Sequence, residues 1–257
     1  MTGRIVLMAD YNEIKFEQEI AEHLAAHGWL YSPNDEGYDR ERALYPEDIF
    51  GWLADTQPDE LAKVLKRGTP TERAQVLDRL AKVLETPLES GGGTLNVLRK
   101  GISHISARFD LCQFRPESTL NPATVERYNK VRVRVMRQVH YSTATNHSLD
   151  LVLFVNGLPV ATLELKTDFT QSVTDAINQY KTARPVKDPA TGKPQPMFGF
   201  GTRALVHFAV SNDEVWMATK LAGDKTHFLP FNRGSLEGGA GNPPASGGKS
   251  ATAYLWE

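Results

Sequence analysis

Two apolar runs, LDLVLFV (149–155) and PVATLELKT (159–167), flank the dipeptide Asn156-Gly157. Asn-Gly supplies the positive φ angles of a tight turn, so the segment reads as an antiparallel hairpin buried in a sheet. Three charged residues interrupt it: Asp150, Glu164 and Lys166. Glu164 and Lys166 are two apart in a strand and project from the same face. Charges in such apolar surroundings are costly unless they are paired or bind a metal. Their grouping depends on register. A two-residue turn pairs Val155 with Leu158 and Leu149 with Glu164, which sends the Asp150 and Glu164 carboxylates to opposite faces. A three-residue loop with Gly157 in the left-handed position pairs Phe154 with Leu158 instead. Asp150 then lies opposite Thr162, on the face of Glu164. The sequence therefore predicts an odd-length loop or a bulge, with Gly157 at positive φ.

The flanking sequence sets the architecture around this hairpin. Residues 14–28 read as an amphipathic helix, with Phe16, Ile20 and Leu24 on one face and Gly28 as its stop. Residues 46–86 contain three segments that each start at a proline followed by acidic residues, the composition of a helix first turn. SGGGT (90–94) is a loop. The period then changes to two: Val131, Val133 and Val135 alternate with Arg132 and Arg134. Residues 173–184 read as a helix, and residues 204–211 and 214–221 as a second hairpin across Asn212-Asp213. The predicted class is α/β, a mixed and mostly antiparallel sheet flanked by helices, with a helical insertion over about 40–95 and the sheet over about 130–221. Residues 1–232 form the domain, and the glycine- and proline-rich residues 233–257 form a linker.

Composition narrows the setting. Cys112 is the one cysteine, so no intramolecular disulfide forms and a reducing cytoplasm is expected. No run approaches the ~20 apolar residues of a membrane span, so no membrane partner is expected. The net charge of −2 disfavours a dedicated nucleic-acid binder, although a local basic stripe can supply the attraction. Arg132, Arg134 and Arg137 are the candidates for such DNA contacts, against an exposed strand face as the alternative.

The hairpin charges suit phosphodiester hydrolysis. Two carboxylates are hard oxygen ligands for Mg²⁺, which keeps several waters. The metal polarises a phosphate and acidifies a water, and Lys166 can orient that water and stabilise growing charge. An E-x-K triplet alone is common. A second one, Glu13-Ile14-Lys15, falls at a helix start, where side chains two apart diverge, and reads as solvated surface.

Asp150…Glu164-Leu165-Lys166 resembles the PD-(D/E)xK nuclease motif. The surrounding segments GYDRERALYPEDIFGWL, NHSLDLVLFVNGLPVATLELK, DAINQYKTAR, RALVHFAVSNDEVWMATKLAGDKTHFLPFNRG and GGAGNPP…TAYLWE resemble the N-terminal region of the R subunit of type I restriction-modification enzymes. The resemblance implies a restriction-endonuclease-like fold and Mg²⁺-dependent cleavage of double-stranded DNA. It also implies RecA-like motor domains beyond Glu257 that use ATP, with methyltransferase and specificity subunits as partners. Leu149 stands where the motif has proline. The Gln-x-x-x-Tyr motif of such nucleases is altered, since Tyr180 follows Gln179 directly and Ala183 takes the tyrosine position. Gln179 is then the residue expected at the site, and Tyr180 is not. Glu17, with Ile20, Leu24, Gly28 and Trp29, matches the family's first-helix frame and is expected to support the metal with Asp150 and Glu164. A module of the same fold that grips DNA or docks the motor without catalysis is the alternative. Pro243–Ser250 nearly matches a phosphate-binding loop, but Pro243 lacks the N–H of the glycine it replaces, so ATP is assigned to the motor alone.

Overall fold

The structure, a computed structural model, describes residues 2–167, 172–212 and 214–231, excepting the side chains of residues 2–12. Helix α1 (Thr2–Ala26) starts well before the expected Ile14 and stops where Gly28 adopts a φ of 92°. Strand β1 (Leu30–Ser32) follows. Helices α2 (Pro46–Thr56), α3 (Pro58–Val64) and α4 (Pro70–Leu84) each begin at a proline, as the sequence predicts. Thr69 and Glu72 form a reciprocal capping box at α4.

The insertion is larger than the expected 40–95. It continues through α5 (Thr94–Lys100), the antiparallel pair β2 (Ile102–His104) and β3 (Ala107–Phe109), and α6 (Pro122–Asn129). It has a core of its own, in which Ile49, Trp52, Leu80 and Phe109 are fully enclosed.

The main sheet adds β4 (Val133–His140), β5 (Ser148–Val155), β6 (Leu158–Leu165), β7 (Val206–Val210), β8 (Val215–Ala218) and β9 (Leu229–Pro230), with α7 (Val173–Ala183) between β6 and β7. Its seven strands run β1-β4-β5-β6-β7-β8-β9. Four of the six neighbouring pairs are antiparallel, while β1–β4 and β6–β7 are parallel. A parallel pair needs a long crossover. The insertion supplies the first and α7 the second. On one face α1 packs Phe16, Ile20 and Leu24 against Leu151, Leu163 and Phe208. On the other, Tyr180 of α7 packs with Val152 and Phe154. This is a mixed sheet flanked by helices, compatible with a restriction-endonuclease-like fold.

The β5–β6 hairpin has the expected bulge and positive Gly157 φ, and takes a two-residue turn in place of the three-residue loop. Val155 pairs with Leu158 across a two-residue turn, with Asn156 at φ 47° and Gly157 at φ 81°. The extra residue sits further along. Phe154 pairs with Pro159, but Leu153 pairs with Ala161, which leaves Val160 over. Pro159 has no N–H for the ladder, so a bulge is accommodated there. Leu151 then pairs with Leu163. One step further along this register Asp150 faces Glu164, not Thr162, and the carboxylates share a face.

No described helix is long and apolar enough to cross a membrane. Residues 233–257, read as a linker, and Asp213 in the second hairpin turn lie outside the described residues.

Candidate active site

Glu164 lies near the end of the central strand, β6, and is fully buried. Its Oε1 accepts a hydrogen bond from Arg184 Nε at 2.5 Å. Its Oε2 is buried with no hydrogen-bond partner among the described residues. Burial, then the charge of Asp150, pushes the Glu164 carboxyl up to about 8, with Arg184 and Lys166 opposing the rise. Asp150 is half-buried, and its Oδ2 accepts from the Leu165 backbone N–H at 2.7 Å. Desolvation raises its pKa as well, against that backbone bond and the charge of Lys166. Two carboxylates that both resist ionisation side by side form a site that a cation would relieve.

Helix α1 and β4 close the site from one side. Glu17, also buried, accepts from Arg137 Nε at 2.7 Å and from Gln138 Nε2 at 2.8 Å. Gln138 Oε1 in turn accepts from Ser148 Oγ at 2.7 Å. It has a φ of 49° and interrupts the β4–β5 ladder between the Arg137–Leu151 and Val139–Leu149 pairs. Glu13, Ile14, Glu17, Gln138, Asp150 and Leu165 line a cleft of about 300 Å³.

Lys166 Nζ lies 3.2 Å from Glu13 Oε2. Glu13, expected on solvated surface, is instead at the site. The reason is helical periodicity: Glu13 and Glu17 are one turn apart, so one edge of α1 brings both to the strand ends. That i,i+4 spacing beside Phe16 and Ile20 is the signal that could have found it.

Gln179 is half-buried and its side chain makes no hydrogen bond with the described residues, whereas Tyr180, not expected at the site, is fully enclosed beneath it. The Tyr180 hydroxyl is 2.8 Å from Thr162 Oγ1, which is 2.8 Å from His207 Nδ1. Burial pulls the His207 pKa down to about 3, so that imidazole is neutral.

The three arginines expected to contact DNA are committed within the protein. Arg134 reaches both Asp48 carboxylate oxygens, at 2.7 and 2.9 Å, and Asp48 is fully buried. Arg132 Nη2 meets Asp55 at 2.7 Å, and Arg137 meets Glu17 and the Tyr31 hydroxyl. Arg132 and Arg134 tie α2 to β4, and Arg137 ties α1 to β4. They do not form an open basic stripe.

Among the described residues no three His, Cys, Asp or Glu side chains converge to enclose a metal ion. Glu17 has both oxygens engaged. What remains is Asp150, which lines the cleft, and the buried Glu164 Oε2, which has no partner among the described residues. This donor set does not suit zinc, which takes three or four protein ligands, but it fits a hard cation that keeps most of its waters.

A family model described as type I restriction enzyme R protein N terminus matches residues 10–226 of the chain. A comparison with curated proteins finds no match.

Proposed function

The chain belongs to the type I restriction enzyme R protein N-terminal family, and on that premise we propose that it is the subunit's Mg²⁺-dependent endonuclease module. In this reading it cleaves the phosphodiester bonds of double-stranded DNA after ATP-driven translocation by the subunit's motor domains. Sequence choice belongs to a separate specificity subunit, and the methyltransferase subunit is a further partner. The observation that carries the reading is the Glu164 Oε2 atom, buried and without a partner among the described residues, on the face it shares with Asp150.

Asp150 and Glu164 are the residues that would hold the ion. When bound, Mg²⁺ supplies Lewis-acid polarisation of the phosphate and a more acidic water. Asp150 is oriented for this by the Leu165 N–H. Lys166, two residues on from Glu164, is held 3.2 Å from Glu13, itself a residue of the cleft, and can meet a phosphate oxygen once Glu13 yields it. Glu17 keeps Gln138 and Arg137 in place and so supports the site without entering it. A purely DNA-gripping module would need exposed cations, and the β4 arginines do not supply them.

The test uses the assembled restriction enzyme carrying Lys166→Ala, incubated with circular DNA bearing its recognition site. Linearisation should slow by at least about 100-fold, the order expected when a group that stabilises developing charge is removed. Linearisation at the unaltered rate would overturn the assignment.

A further inference from the structure

Arg184 has no place in the chemistry above, yet it is one of the few buried charged residues among those described. It follows the last residue of α7, and its backbone leaves helical geometry at φ −119° and ψ 66°. The side chain turns under the sheet. Nε donates to Glu164 Oε1 at 2.5 Å, Nη2 donates to the Ser148 carbonyl at 2.8 Å, and Nη1 to the Ala183 carbonyl at 3.4 Å. The guanidinium lies 5.5 Å from the Tyr141 ring centroid. One planar group thus joins the start of β5, the end of β6 and the end of α7.

The arrangement at Glu164 is asymmetric. A guanidinium facing a carboxylate commonly takes both oxygens in a parallel fork. Here the second terminal nitrogen is spent on Ser148, so one carboxylate oxygen is held and the other is left without a partner among the described residues.

We propose that Arg184 is a positioning residue for the cation site: it fixes Glu164 by one oxygen and so presents the other, beside Asp150, as a preset ligand. This rests on the cation-site reading given above. Arg184 itself touches neither cation nor DNA. Its role is to fix the orientation of a ligand, and partners of this kind govern metal affinity strongly.

Counting charge alone gives the opposite expectation. Removing a cation beside two carboxylates should draw a divalent ion in more tightly. The two accounts therefore separate by sign. The experiment is calorimetric titration of the chain with Mn²⁺ alone, with no DNA present, comparing the unaltered protein with Arg184→Ala, Arg184→Lys and Glu164→Gln. Lysine keeps the charge and loses the planar fork. Arg184→Ala and Arg184→Lys should each weaken Mn²⁺ binding by about 10- to 100-fold. Mn²⁺ binding that is unchanged or tighter in Arg184→Ala overturns the proposal. Should that variant fail to fold, Arg184→Lys decides alone, and unchanged affinity there overturns it equally. Glu164→Gln reports on the underlying reading: if it binds Mn²⁺ as the unaltered chain does, or if the unaltered chain binds none, the cation site itself is wrong and the proposal falls with it. Loss in Glu164→Gln together with full affinity in both Arg184 variants defeats the positioning role and leaves the site standing.

Discussion

Asp150 stands across from Glu164, one step beyond the Leu151–Leu163 pair, because Val160 is left over between β5 and β6. The side-chain period of a strand is two, so one surplus residue moves every later side chain of that strand to the other face. Without it, the Val155–Leu158 turn would set Glu164 opposite Leu149 and remove it from Asp150. The turn is itself pinned. Asn156 Oδ1 accepts from the Arg132 N–H, Asn156 Nδ2 donates to the Leu111 carbonyl, and the Gly157 carbonyl accepts from the Tyr45 N–H.

Gly157 is where this geometry is least forgiving. It holds a φ of 81°, and a Cβ there would lie 2.3 Å from the Tyr45 carbonyl oxygen and 2.6 Å from Ile49 Cγ1. Gly157→Ala should destabilise the chain by about 1–3 kcal/mol, from left-handed backbone strain and displacement of α2. Urea unfolding monitored by circular dichroism measures it, and an unchanged midpoint would contradict the close approach.

Glu164 predicts a pH dependence of stability. Its folded-state pKa is raised from 4.5 to about 8 by burial and by Asp150. The folded state then binds more protons than the unfolded state between those values, and stability falls as pH rises. The contribution is fully present below about 4.5 and lost as pH climbs through about 8. His207, held neutral with a pKa near 3, works in the other direction as pH drops below 6.5, so the Glu164 effect is cleanest above that. The unaltered chain should lose melting temperature from pH 6.5 to 8.5 more steeply than Glu164→Gln. Parallel profiles would contradict the assignment.

Asp48 and Arg134 predict an asymmetry. Asp48→Ala leaves a largely buried guanidinium without its carboxylate and should cost about 3–5 kcal/mol. Replacing both partners, as Asp48→Leu with Arg134→Met, removes the uncompensated charge and should recover most of that loss. A double variant as unstable as Asp48→Ala alone would show that the pair does more than anchor α2 to β4. Equilibrium denaturation of the three proteins gives the comparison.

The sequence was most informative where one period persists. The two hairpins, the proline-started helices and the helix after Lys166 are each set by local pattern, and all appear in the structure. The need to bring Asp150 and Glu164 to one face was also legible, because charge in an apolar strand demands a partner. The way it is met was not, since a bulge at Val160 and a three-residue loop satisfy the same parity. Glu13 and Arg184 were missed because their partners, Lys166 and Glu164, lie 153 and 20 residues away in sequence. Tyr180 was misplaced because the rotation of α7 about its axis is set by packing against Val152 and Phe154, not by the spacing of Gln179 and Tyr180. The β4 arginines looked exposed by alternation, but α2 covers Arg132 and Arg134 with Asp55 and Asp48 on one face, and α1 covers Arg137 with Glu17 on the other.

The central claim is that Asp150 belongs to a nuclease site separate from the motor. The direct measurement is a paired assay of the assembled restriction enzyme carrying Asp150→Ala, following DNA cleavage and ATP hydrolysis in the same reaction. The account predicts that cleavage is abolished while ATP hydrolysis continues at the unaltered rate. Cleavage at the unaltered rate, or loss of both activities together in a folded and assembled enzyme, would contradict it.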